Sequence, residues 1–347
     1  MKQPIGYYVH HHGDGHRQRA LALAASGEPG RIVLLGTGLA GRTGAVATID
    51  LPNDRMPNSD AFDGVDGTAS RPLAFHYAPL HHDGVRERMG LIARWIMENC
   101  PAMMVVDVSV EVAMLARLCS TRVAFVRLSG HRDDPAHLEA YRAASLLIAP
   151  FSQTLDDKTL PAWIREKTVY CPGLTTHSGA TSKPVSGRVL VVGGKGGAPQ
   201  DGTLIAAAAT ATPDRQWRVI GPATPPKHCP ENLAFAGWTD DPLGEIAASE
   251  IVVGAAGDGL VNAVIAIGRP FICIPETRPF GEQVQKAKSL GEARAAVVVE
   301  VWPQVWEWAR LLEQAQDIDL TRLIALGDSG GAAKLLATLN RSLQDQK

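Results

Sequence analysis

Apolar residues in this chain come in runs of four or five, separated by stretches in which they recur every three or four positions. That alternation predicts strands interleaved with helices, the pattern of an α/β protein with parallel sheets. In the first half the expected strands are residues 5–9, 31–35, 102–106, 122–126 and 146–149. Between them, residues 84–99 carry Met89, Ile92, Ile96 and Met97 at helical spacing, one buried stripe. Residues 51–71 keep no period, and their Pro, Asp, Gly and Asn content predicts a long irregular loop. The stretch CPGLTTHSGATSKPVSG, residues 171–187, is also without period and reads as an interdomain linker. A second series of strands follows at 188–192, 217–220, 251–253, 270–274 and 295–299, and beyond residue 318 the pattern is helical. Three parts are expected: an N-terminal domain over 1–175, a C-terminal domain over 183–328, and a terminal helix over 329–347 that is free to pack back on the first domain.

Composition narrows the function classes. The 347 residues suffice for roughly two domains with their own cores. Thirty-four basic against 36 acidic residues leave a formal charge of −2, which gives no field for nucleic acid. No apolar run approaches the length of a membrane span. Trp302, Trp306 and Trp308 leave peripheral membrane contact open, although so few basic residues accompany them that core or interface is the better reading. Five scattered cysteines, an odd number without a C-x-x-C pair, and a start that lacks a signal-peptide pattern point to a reduced, cytoplasmic compartment.

Three segments carry candidate chemistry. In YYVHHHGDGHRQRALALA, residues 7–24, a strand runs through a glycine turn into a helix, so that backbone N–H groups and a positive dipole end face a polar ligand. Gln18 stands where a dinucleotide fingerprint needs its third glycine, which disfavours a Rossmann dehydrogenase. His16, in the first helical turn at the carboxyl edge of the sheet, is a candidate general base or a plain helix-start residue. The tract His10-His11-His12 alternates faces of a strand and has no carboxylate or cysteine cluster beside it, so no metal site is expected. The second segment, RVLVVGGKGG, residues 188–197, ends in Gly193, Gly194, Lys195, Gly196 and Gly197; it suits a phosphate or a tight turn equally and is not a Walker loop. The third, residues 235–299, has a strand at 251–253, a turn through Gly257, Asp258 and Gly259 into a helix, and a later helix opening at Glu282-Gln283. Its first helix suits a diphosphate, and its Glu-Gln pair suits sugar hydroxyls. Asp107, Ser109 and Glu111 follow a strand and are candidates for orienting His16, binding an acceptor or capping a helix.

This third segment resembles the donor-binding half of GT-B glycosyltransferases, especially the MurG-type N-acetylglucosaminyltransferases of family 28. The resemblance rests on Ala256-Gly257, a helix ending in Gly268-Arg269-Pro270, the strand over 271–274, Pro275 and Glu282-Gln283, together with G-x-G-H at 13–16 and RALALA after it. It implies two Rossmann-like parallel-sheet domains facing a central cleft, with an acceptor on the first and a UDP-linked sugar donor on the second. By the same resemblance His16 is the acceptor base, and Gly13 and Gly15 let the substrate approach. The turn 257–259 meets the donor diphosphate, Thr239 lies where the base is read, and Glu282 and Gln283 hold the sugar. Gly194, Lys195 and Gly196 are counted with the donor site, and Asp107 and Glu111 with the acceptor side. Where the family commonly carries a ribose-binding glutamate, this chain has Ala263. No cofactor beyond the nucleotide-sugar substrate is implied. The alternatives in the same fold are a nucleotide-sugar hydrolase or 2-epimerase and a noncatalytic nucleotide-sugar-binding relative.

Overall fold

The apolar runs of the first half line up as one parallel sheet. The computed structural model describes residues 3–11, 14–55, 72–174, 182–194 and 199–344. Its first compact unit comprises residues 1–150, 158–176 and 330–347, and its second 151–157 and 177–329. Most of the long loop expected over 51–71 (56–71) and residues 175–181 of the linker expected over 171–187 lie outside the described residues.

In the first unit, strands β1 (Ile5–Val9), β2 (Ile32–Gly36), β3 (Thr48–Asp50), β4 (Met103–Asp107), β5 (Val123–Val126), β6 (Leu146–Ala149) and β7 (Thr168–Tyr170) form a seven-stranded sheet in the order β3-β2-β1-β4-β5-β6-β7. Its helices are α1 (Gly15–Ala25), α2 (Asp83–Asn99), α3 (Val110–Leu118), α4 (Pro135–Ala143) and α5 (Ala162–Lys167). β1 alternates its side chains between two cores: Tyr8 joins Met104, Val106, Ile92 and Trp95 on one face, and Ile5, Tyr7 and Val9 join Ala20, Leu23 and Leu34 on the other. The order reverses between β1 and β4, so the helices that follow them, α1 and α3, pack on opposite faces; this is the point at which open α/β sheets bind ligands.

The second unit repeats the plan. It holds β8 (Arg188–Val192), β9 (Gln200–Asp201), β10 (Gln216–Ile220), β11 (Ala223–Thr224), β12 (Leu233–Gly237), β13 (Ile251–Gly254), β14 (Phe271–Cys273) and β15 (Val297–Val298). Six of these make a parallel sheet in the order β12-β10-β8-β13-β14-β15, which reverses between β8 and β13, and β9 pairs with β11 apart from it. The helices are α6 (Gly202–Ala211), α7 (Pro242–Ala247), α8 (Asp258–Ile267), α9 (Glu282–Glu292), α10 (Trp308–Gln316) and α11 (Leu320–Ile324). Trp308 is fully buried, edge-on to Trp217 at 5.1 Å and 5.0 Å from Trp302, while Trp306 is exposed. Two of the three tryptophans are therefore core rather than a surface belt.

The helical tail breaks at residues 325–330, after which α12 (Gly331–Gln344) lies against the first unit. Leu335 and Leu339 enter the core of β1 and α1, and the Asn340 side-chain oxygen accepts from Arg31 at 3.0 Å. Among the described residues no helix is long and apolar enough to cross a membrane.

One packing contact fixes how closely α2 approaches β1. A Cβ on Gly6 would stand 2.7 Å from the Trp95 ring and closer still to the Met104 sulfur. Overpacking of this kind costs about 1–3 kcal/mol. Gly6→Val should lower the unfolding free energy by about that much or more in denaturant titration; an unchanged midpoint would show that Trp95 yields freely.

Candidate functional site

Each sheet carries a strand, glycine turn and helix N-terminus at its point of reversal, and both turns collect charge. In the first unit Asp107 is the last residue of β4 and is fully buried. A carboxylate there needs donors on every side, and three side chains from two elements supply them. Tyr7 of β1 donates its hydroxyl to Oδ2 at 3.1 Å. Arg19 of α1 donates from Nε to Oδ2 at 3.4 Å and from Nη2 to Oδ1 at 3.3 Å. His16 of α1 brings Nδ1 to 3.0 Å from Oδ1. Burial pushes the Asp107 carboxyl up, but the Arg19 guanidinium and the His16 ring outweigh it and hold it at about 2. Burial, and then the Asp107 charge, push the Tyr7 phenol well above its ordinary range.

His16 and Arg19 lie three residues apart on α1 and so share one face of the helix. The His16 side chain is 10% exposed, with the His10 ring 5.2 Å away. No side-chain hydrogen bond caps α1: Asp14 at its start takes Arg17 at 2.7 Å and Arg42 at 3.1 Å instead. His10 and His11 stack at 5.0 Å, and His11 approaches Asp54 at 3.4 Å. Among the described residues no group of three or more His, Cys, Asp or Glu side chains is arranged to hold a metal ion; His12 lies outside them.

Glu111 is committed elsewhere. One carboxylate oxygen accepts the backbone N–H groups of His76 and Tyr77 at 2.6 and 2.7 Å, and the other accepts the Ser109 hydroxyl at 3.4 Å. It ties residues 76–77 to the first turn of α3, and burial raises its carboxyl against those donors. Ser109 caps α3 by accepting from the Val112 N–H.

In the second unit α8 opens at Asp258, with Gly257 before it and no side-chain cap. Asp258 does not cap the helix; it pairs with Lys286 of α9, whose side chain is 1% exposed and also lies 4.0 Å from Glu282. Gln283 is buried, its Oε1 accepting the Glu276 N–H at 2.9 Å and its Nε2 standing 3.9 Å from where a Cβ on Gly257 would be. The sequence puts the Glu282-Gln283 pair on a turn of its own; the structure joins that turn to the Gly257 turn through Lys286 and the Gln283 amide. A Cβ at Gly259 meets nothing within 4 Å, nor does one at Gly194, and at Gly15 it meets only Arg19 at 3.9 Å. These three glycines face open space. Gly193 is different, since its Cβ would stand 2.8 Å from the Pro222 carbonyl. Thr239 accepts the Asp241 N–H at 3.1 Å, and Asp241 in turn caps α7; Trp238 beside them is 65% exposed. Gly13, Lys195 and Gly196 lie outside the described residues.

The sequence reading missed Arg19 and Lys286. The Arg-x-Arg of RQRA reads as a solvated helix face, and Lys286 stands 28 residues from its partner Asp258. The one available signal was the i,i+4 spacing of Glu282 and Lys286.

No protein-family model matches the chain. A curated relative from Methanosarcina acetivorans, described as an uncharacterized glycosyltransferase, is 33% identical over 90 residues, 25% of this chain and 23% of its own. A second, from Methanosarcina mazei and described in the same words, is 32% identical over 78 residues, 22% of this chain and 20% of its own. The chain thus spans less than a quarter of the curated relatives it matches. Among solved structures, the kitacinnamycin glycosyltransferase superposes with a TM-score of 0.71 at 14% identity, covering 98% of this chain and 99% of its own. MurG of Acinetobacter baumannii gives 0.60 at 14% over 97% and 99%. The spinosyn rhamnosyltransferase SpnG complexed with thymidine diphosphate gives 0.59 at 18% over 99% and 96%.

The Asp107 carboxyl, moved from an ordinary 3.8 to about 2, contributes stability that is present above pH 4 and lost as the pH falls through 2. A shift of that size corresponds to about 2 kcal/mol. In denaturant titrations between pH 5 and 2, Asp107→Asn should be less stable at pH 5 and should lose less of its stability on acidification than the wild type. Parallel curves for the two proteins would mean that Asp107 contributes nothing to acid unfolding.

Proposed function

We propose that this chain, which has the two-sheet fold of the GT-B glycosyltransferases, is itself a glycosyltransferase that moves a sugar from a nucleoside diphosphate to an acceptor hydroxyl. The observation that carries this reading is His16, held by a buried carboxylate at the reversal of the first sheet with part of its ring open to solvent. In the reaction Nε2 of His16 takes the proton of the acceptor hydroxyl as its oxygen attacks the anomeric carbon. The bond from that carbon to the diphosphate breaks, and the nucleoside diphosphate leaves with the electron pair. Asp107 stabilises the imidazolium that forms. A single displacement of this kind inverts the anomeric carbon.

The donor belongs to the second unit. The uncapped N-terminus of α8 supplies N–H groups to the leaving diphosphate, with Gly257 and Gly259 leaving room for it and Gly194 as a further open approach; Gly15 leaves similar room beside His16 in the first unit. Asp258 would repel the diphosphate by itself; the Lys286 ammonium paired with it offsets that charge. Exposed Trp238 offers a face for the base beside Thr239. Glu282 and Gln283 are assigned to the sugar. The family-28 resemblance makes UDP-linked sugars the first donors to test, and the complex of SpnG makes thymidine diphosphate the second.

His16→Ala should lower turnover by about 10² to 10⁴ and leave nucleoside diphosphate affinity unchanged, because the base acts in the transition state. A panel of UDP- and TDP-sugars with mixed hydroxyl acceptors, read by product mass, tests the class. Free sugar released from donor alone would indicate a hydrolase, and binding without turnover a noncatalytic protein. On the donor side, Lys286→Met should weaken UDP or TDP binding about tenfold by removing the cation that offsets Asp258 at the helix terminus, and adding Asp258→Asn should restore it. Equal losses in the single and double variants would remove the charge pair from donor binding.

A further inference from the structure

His16 Nδ1 has two suitors that ask opposite things of it. Asp107 Oδ1, at 3.0 Å, can only accept, so that contact needs a proton on Nδ1. Arg19 Nη2, at 2.8 Å, can only donate, so that contact needs the Nδ1 lone pair. A neutral imidazole carries one N–H and cannot satisfy both. When the proton is on Nδ1, Nε2 has its lone pair free and can accept a proton from a hydroxyl. When Arg19 donates to Nδ1, the proton sits on Nε2 and the ring has no lone pair left with which to act as a base.

The geometry favours Arg19. Its contact with Nδ1 is the shorter one, and it comes from a permanently charged donor. Asp107 has Tyr7 and both the Nε and Nη2 of Arg19 as donors, so it is satisfied without the ring. Among the described residues, the charged and titratable groups around the ring are Tyr7 on β1, His10 after it, Asp107 on β4 and Arg19 on α1 itself, with Asp14 and Arg17 at the start of that helix.

We infer that Arg19 is a positioning residue that selects the tautomer of His16, holding the proton on Nε2 at rest, so that the ring becomes a base only when Nδ1 passes from Arg19 to Asp107. The exchange is a movement of the guanidinium by about one hydrogen-bond length: it keeps its hold on Asp107 and releases the ring, and the imidazole proton relocates from Nε2 to Nδ1 through solvent. The inference rests on the proposed role of His16 where it concerns the rate, and on the contacts alone where it concerns the tautomer.

The test separates the two. Full-length protein labelled with ¹⁵N-histidine, with His16 assigned by the signal lost in His16→Gln, should show a neutral ring protonated on Nε2 and bare on Nδ1. In Arg19→Met the proton should move to Nδ1. Arg19→Lys keeps a charge beside Asp107 should the Met variant fail to fold; its single ammonium is drawn to the carboxylate, so the proton should move there as well. A wild-type ring already protonated on Nδ1, or a tautomer unchanged in both variants, overturns the inference. The predicted tautomers in a protein that transfers no sugar would leave the role of Arg19 standing and sink the functional reading instead.

Discussion

The burial of one carboxylate governs the first unit. Asp107 ends β4 with no exposed surface, and a buried charge without partners costs several kcal/mol. Its partners can come only from elements that meet at the reversal of the sheet: β1 lies directly alongside, pairing Tyr7 with Val105 and Tyr8 with Val106, and α1 begins just beyond. Tyr7 reaches Asp107 because the alternation of β1 sends it to the same face as α1, while Tyr8 turns to the opposite core and meets Arg88 at 2.6 Å. A one-residue slip of β1 would exchange these two tyrosines and strand the carboxylate. Strand register, helix placement and the orientation of His16 are therefore one constraint.

The second unit faces the inverse problem with the same parts. There the buried charge is the Lys286 ammonium, and its partner Asp258 sits at the N-terminus of α8, where a carboxylate is already favoured by the helix dipole. The pair links α9 to α8, and Gln283 one turn earlier on α9 reaches the Gly257 turn. Lys286 also stands 4.0 Å from Glu282, so a single buried ammonium answers two carboxylates at this turn.

Much of the fold was legible because long apolar runs have one reading: β1, β4, β6, β8 and β13 stand within a residue or two of their expected positions. β3 and β7 escaped notice for a physical reason: they are three-residue edge strands with at most one buried residue each, too short for a continuous apolar run or an alternation to mark them. The edge strand β12, LAFAG, does carry an apolar run and was passed over all the same. The break at residues 325–330 brackets the boundary expected between 328 and 329, although the pattern from 318 on was read as helical throughout. Of the site, what lies on one element was legible: His16 in its turn, and Gly257 before its helix. What depends on pairing across elements was not. Asp107 was one of three polar candidates after β4, and only its burial under Tyr7 and Arg19 separates it from Ser109, which caps α3, and Glu111, which anchors residues 76–77.

A histidine beside an aspartate is not by itself a sign of chemistry, and this chain contains the control. His137 on α4 donates from Nδ1 to Asp134 at 2.6 Å, a shorter contact than His16 makes with Asp107, and that carboxylate is also held at about 2. Yet His137 is 1% exposed, packed against the His76 and Tyr141 rings, and burial drives its imidazole below the ordinary range. A ring so enclosed has no room for a substrate hydroxyl and serves the N-terminus of α4, where Asp134 accepts its backbone N–H as well. His16 differs in two respects: part of its ring stays open, and its aspartate has other donors. Because Asp107 does not depend on the imidazole for its hydrogen bonds, the ring is at liberty to change its protonation without unfolding the turn that holds it.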